Sequence, residues 1–87
     1  MYLKYFKVNR IRNVNAVIYY NKKEEYKVFE IIRLLIRMGW MTSFFIDNGI
    51  IFTMKDDKEY KEFKKDYYNA KKVVEAYDKF FKKRCLI

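Results

Sequence analysis

The stretch WMTSFFIDNGIIFTM, residues 40–54, constrains this chain more than any other. Two runs of β-branched and aromatic residues flank Asn48-Gly49, a pair that accepts positive φ cheaply and favours a tight type I′ reversal. The stretch reads as a hairpin, Trp40–Ile46 with Ile50–Met54. Opposite residues of a hairpin point the same way. One face therefore carries Met41, Ser43, Phe45, Ile50, Phe52 and Met54, and the other Trp40, Thr42, Phe44, Ile46, Ile51, Thr53 and Lys55. The first set is more uniformly apolar and is expected to meet the helices.

Two helices flank the hairpin. The first spans about Lys23–Met38, with Lys23, Lys27, Glu30, Arg33 and Arg37 in a narrow polar stripe and apolar residues around it. So little polar surface predicts a helix covered on most sides. Gly39 stands where a left-handed residue would end it. The second helix runs from about Asp56 to Lys82. Tyr60, Phe63, Tyr67, Ala70, Val74, Tyr77 and Phe81 alternate three and four apart, a sustained apolar seam. The N-terminal segment reads as strands Tyr2–Val8 and Val14–Tyr20, joined by NRIRN. In the same phase as the later hairpin, Lys4, Phe6, Ile18 and Tyr20 would join its mixed face.

A short echo links the halves: EEYKVF at 24–29 and KEYKEF at 58–63. Each follows an apolar strand, a lysine and acidic residues. The chain reads as ββα written twice, whether by duplication or by chance in a Lys- and Tyr-rich composition. The expected fold is α+β: one domain, residues 1–87, with a four-stranded, mainly antiparallel sheet, two helices on one face and a long C-terminal helix. A winged helix, with the Asn48-Gly49 hairpin as wing, is the alternative. A strand of six residues covers about 20 Å and a helix of some 26 residues about 39 Å. The second helix should overhang the sheet, leaving Val73, Val74, Tyr77, Phe80 and Phe81 to a covering surface, and a homodimer through this helix is expected.

The chain is 52% hydrophobic and 21% aromatic, too apolar for a disordered segment. It has no histidine and one cysteine, Cys85. Imidazole bases, Cys–His pairs and Ser-His-Asp triads are excluded, as is a cysteine-built zinc site. No glycine-rich phosphate loop is present. Asp47 with Glu59 and Lys61 has the letters of a metal-dependent nuclease centre, but Glu59 and Lys61 fall in a helix where that arrangement uses a strand. No enzymatic activity and no cofactor or metal are expected. A lone cysteine points to a reducing, cytoplasmic compartment. Lys4 and Lys7 interrupt any leader-like run, and Arg33 and Arg37 break the longest apolar stretch, so no membrane association is expected.

The net charge is +9, and residues 1–23 carry +6 of it with no acidic residue. Such an excess favours an anionic partner. Arg10 and Arg12, flanked by Asn9 and Asn13, offer guanidinium forks and amides suited to phosphates and base edges. Trp40, Phe44, Phe6 and Tyr20, with Lys4 and Lys55, would let bases stack while lysines hold phosphates, and Lys7, Lys22 and Lys23 of the basic N-terminal segment are further nucleic-acid-binding candidates. The expected function is a small basic binding protein that contacts nucleic acid or a nucleoprotein through its N-terminal hairpin. The alternative is an accessory protein of a virus or mobile element that binds and inhibits a host protein, such as a nucleic-acid-guided defence nuclease.

Overall fold

The computed structural model describes residues 1–7 and 13–85, with side chains through residue 79. The elements are β1 (Tyr2–Lys7), β2 (Val14–Tyr19), a 3₁₀ turn (Lys22–Glu24), α1 (Glu25–Arg37), β3 (Thr42–Ile46), β4 (Gly49–Met54) and α2 (Asp57–Cys85). The expectation of an α+β fold, with four antiparallel strands in one sheet and two helices of which the last is long, is borne out. The N-terminus is a pair of strands, which sets aside the winged-helix alternative. The spatial order is β1-β2-β4-β3, so the two hairpins meet along β2 and β4.

Alternate residues of the central strands build the core. Val14, Ala16 and Ile18 of β2 and Ile50, Phe52 and Met54 of β4 cluster with Val28, Ile31, Ile32 and Leu35 of α1 and Phe63, Tyr67, Ala70 and Val74 of α2. The α2 seam therefore reads as foreseen through Val74. The prediction for α1 was too generous. Tyr26, Phe29, Ile36 and Met38 stay 41–54% exposed, because a lone helix packed against one sheet and one neighbour buries only one broad stripe.

Local chemistry fixes the helix ends. Asn21 Oδ1 accepts from Glu24 N and Glu24 Oε1 accepts from Asn21 N, a reciprocal capping box. Asp56 Oδ1 accepts from Glu59 N at 2.9 Å and caps α2. Gly39, at φ 101°, closes α1 with Gly39 N donating to Ile36 O and Trp40 N to Leu35 O. This is a Schellman motif, which needs a left-handed residue there.

The β3–β4 turn differs from expectation. Ile46 pairs with Gly49, so the turn residues are Asp47 and Asn48, and of these Asn48 takes positive φ, 62°. A β-carbon at position 49 would lie 2.9 Å from Ile46 Cγ1, so glycine there serves the strand pair rather than the turn.

The described molecule is 55 Å long and 24 by 16 Å across. Among the described residues the helices are tied at Asp78, which accepts from Tyr26 Oη at 2.6 Å and lies 3.4 Å from Lys27 Nζ. Tyr26 and Lys27 begin α1, so α2 continues past the end of its neighbour. No helix among the described residues is long and apolar enough to cross a membrane.

Candidate nucleic-acid interface on the sheet

The strand residues that alternate with the core set form three rungs, read from the pairing of β1, β2, β4 and β3. The first holds Tyr2, Tyr19, Gly49 and Ile46. The second holds Lys4, Val17, Ile51 and Phe44. The third holds Phe6, Asn15 and Thr53, with Ser43 bonded to Thr53. Tyr2 is 59% exposed, Phe44 66% and Ile46 42%, whereas Val17 is buried at the centre by its neighbours. No acidic residue occurs in any strand. Ten of the eleven acids lie in residues 24–30 and 56–78, in or beside the helices, and Asp47 sits in the turn.

Contacts within this surface are specific. The Tyr2 and Tyr19 rings stack at 5.1 Å between centroids. Lys4 Nζ lies 5.1 Å from the Phe6 ring centroid, a cation–π contact that leaves the lysine charged and close to solvent. Along the third rung Ser43 Oγ donates to Thr53 Oγ1 at 2.8 Å, and Thr53 Oγ1 donates to Asn15 Oδ1 at 2.9 Å.

Of the residues expected to bind nucleic acid, Lys4, Phe6 and Phe44 come together on this surface. Lys7, Lys22, Lys23 and Lys55 are exposed around its margins or beyond. Arg10 and Arg12 lie outside the described residues. Two aromatics are elsewhere. Trp40 precedes β3, packs edge-on against Phe63 at 5.2 Å and donates its indole N–H to Asp66 Oδ2 at 2.8 Å. Tyr20 packs against Phe29 of α1 at 6.4 Å. Tyr20 and Ile18 were misassigned because six residues separate the paired Lys7 and Val14. That even spacing sets Lys4 opposite Val17 and turns Ile18 and Tyr20 toward the helices.

A bulge explains the other changes. Between the pairs Thr42–Phe52 and Phe44–Ile51 one extra residue enters β3. Ser43 and Phe44 then share the open surface, and Thr42 moves to the core side. Phe45 does pair with Ile50 on the core side, but at the sheet edge it stays 66% exposed, and Met41, before the strand, is 80% exposed. Sequence reasoning missed Tyr2, Asn15, Tyr19 and Ser43 here. Alternation along β1 with Lys4 and Phe6 could have supplied Tyr2, and parity of the β1–β2 connection Asn15 and Tyr19, whereas nothing in the letters marks the bulge.

The expected helix interface divides. Val73 and Tyr77 are 54% and 63% exposed, but Val74 belongs to the chain's own core at 9%. The side chains of Phe80 and Phe81, and that of Cys85, lie outside the described set. The Asp47, Glu59 and Lys61 letters do not converge: Asp47 and the start of α2 flank opposite ends of β4. Among the described residues no three acidic or cysteine side chains could share a metal ion.

Tyr5, Tyr26, Tyr60 and Tyr67 have raised pKa values. Tyr67 is pushed up to about 12, chiefly by burial, and its hydroxyl, sealed in the core, finds no hydrogen-bond partner among the described residues. The Tyr5 phenol is raised mainly by its 2.5 Å hydrogen bond to Asp57 Oδ1. Conversely, the Met1 ammonium, donating to both Glu24 oxygens at 2.7 and 2.9 Å, holds the Glu24 carboxyl below its ordinary range. None of these groups offers a proton donor or acceptor to the sheet surface.

No family model matches the chain, and no curated protein and no solved structure matches it either.

Proposed function

We propose that the protein is a non-enzymatic binding protein whose open sheet surface takes single-stranded nucleic acid, with the basic N-terminal hairpin holding phosphates. The observation that carries this reading is the acid-free surface bearing Tyr2, Phe6 and Phe44 at 37–66% exposure beside Lys4. Exposed rings stack unpaired bases whatever their identity, and cations beside them track the backbone. The strands carry no acidic residue that would repel an anion laid on the sheet. Arg10 and Arg12, between β1 and β2 in the sequence, add two cations to the same hairpin segment.

The test is equilibrium binding of a fluorescent single-stranded oligonucleotide across a salt series. Affinity should fall steeply with salt, and Arg10→Ala with Arg12→Ala should reduce the slope of log K against log salt by about 2. Phe44→Ala should weaken binding about fivefold or more, the loss of one base–aromatic stack. Phe44 is largely exposed, so folding should be little changed. Unaltered affinity in both variants would remove the sheet surface from the function.

A second reading, capture of a host protein, is favoured by Met41 and Phe45 at the β3 edge, 80% and 66% exposed. Apolar edge strands are sites of pairing with other chains. Binding of a protein that is abolished by Phe45→Lys while oligonucleotide binding persists would assign that edge separately.

A further inference from the structure

We infer that the β3 edge is closed by β3 of a second copy of this chain, which joins two four-stranded sheets into one. β1 and β3 are the two edges, and their chemistry differs. β1 carries Lys4 and Lys7, charges of the kind that keep an edge unpaired. β3 has no charged residue and no proline. Among the described residues it adds none to the core cluster, and Phe45, on the helix side, stays 66% exposed. The bulge at Ser43 leaves Phe44, Phe45 and Ile46 in regular register with Ile51, Ile50 and Gly49. Ile46 and Gly49 close the two-residue turn as a hydrogen-bonded pair, and such pairs alternate along an antiparallel ladder. The Phe45 N–H and C=O therefore point out from the edge.

The occupant follows from symmetry and charge. A two-fold axis at Phe45 sets that residue against itself, and Phe44 against Ile46 of the other copy. The Phe45 N–H of each copy then donates to the Phe45 C=O of the other. Opposite residues share a side. Phe44 and Ile46 meet on the open surface and the two Phe45 rings on the helix side, apolar against apolar, as a self-complementary interface requires. The chain carries +9, and like charges placed opposite each other weaken a strand pair. β1 against its own copy would bring Lys4 and Lys7 of both chains into one strand pair, whereas β3 brings no cation. Its neighbour in the sequence, Asp47, is opposite in sign to the excess. The join also places Phe44 and Ile46 of both copies at the centre of one continuous open face. That consequence for nucleic acid rests on the sheet-surface reading above, whereas the dimer itself does not.

Sedimentation equilibrium of the full chain without nucleic acid, over a concentration series, measures the state. A short edge makes a smaller interface than the roughly 800 Å² per partner of stable complexes, so a reversible dimer with a Kd of about 10–100 μM is expected. Phe45→Lys sets two ammonium groups face to face and should raise that Kd about tenfold or more. Val73→Ser with Tyr77→Ser, on the exposed face of α2, should leave it unchanged. Thermal melts establish that the variants are folded. Exchange of the Phe45 amide hydrogen, followed by NMR on the wild type, should slow as concentration rises through the Kd, and this readout decides alone if Phe45→Lys does not fold. A chain that stays monomeric to about 1 mM overturns the inference and leaves the edge to another protein. A dimer that survives Phe45→Lys, a dimer lost with the α2 pair, or an unchanged Phe45 exchange rate also overturns it. None of these outcomes touches oligonucleotide binding, which the open surface of a single copy carries and the salt series tests separately.

Discussion

The two halves of the chain, β1-β2-α1 and β3-β4-α2, share an order of elements but not the phase that their letters advertise. The echo EEYKVF and KEYKEF matches positions 34 apart, aligning Tyr26 with Tyr60 and Phe29 with Phe63. Phe63 is fully buried, whereas Phe29 is 41% exposed. The same offset would match the α1 core residues Val28, Ile31, Ile32 and Leu35 with Glu62, Lys65, Asp66 and Asn69. The structure follows an offset of 35. Strand Val14–Tyr19 corresponds to Gly49–Met54 and the cap Asn21 to Asp56. In the core, Val28, Ile32 and Leu35 correspond to Phe63, Tyr67 and Ala70. One residue is about 100° around a helix, so the echo falls on different faces of α1 and α2. A helix is oriented by the spacing from its cap to its apolar stripe, and that spacing is kept while the shared letters drift.

Truncating the two echoed phenylalanines tests this most strongly. Phe63→Ala should cost about 3–5 kcal/mol, as for a buried aromatic, and Phe29→Ala about 1 kcal/mol or less, as for a surface ring. Denaturant unfolding measures both, and equal losses would restore the 34-residue correspondence. The caps sharpen the 35-residue one. Asn21→Ala and Asp56→Ala should each remove about 1 kcal/mol, and a neutral result at either cap in the same unfolding assay would break the parallel. A smaller gain separates the helices again, since the unpartnered Tyr67 hydroxyl has no counterpart at Ile32. Tyr67→Phe should raise stability by up to about 1 kcal/mol, by removing a buried unsatisfied group.

The same substitution has a pH signature. A free tyrosine ionises near about 10, whereas Tyr67 in the folded chain holds its proton to about 12. The unfolded chain loses that proton first. The Tyr67 contribution to stability is therefore intact below pH 10 and declines as pH rises toward 12. Melting temperatures across that window should fall more steeply for the wild type than for Tyr67→Phe. Parallel curves would mean that the ring is less sealed than its burial implies.

The sequence by itself determined the elements and half of the core. Alternation in β4 and the three-and-four spacing of α2 placed Ile50, Phe52, Met54, Phe63, Tyr67, Ala70 and Val74 correctly, because both periods are properties of one segment and need no neighbour. Gly39 was legible for the same reason. The binding surface was legible at Lys4, Phe6, Phe44, Ile46, Ile51 and Thr53. The faces of the first hairpin hang on the pairing of Lys7 with Val14, and the companion of Phe44 hangs on the extra residue at Ser43. Both are relations between strands, in which a shift of one residue sends every side chain to the other side. Trp40 left the surface because the close of α1 aims it at Phe63 and Asp66. Periodicity within a segment is written in its residues, whereas register and the partners across it are settled only when the strands and helices meet.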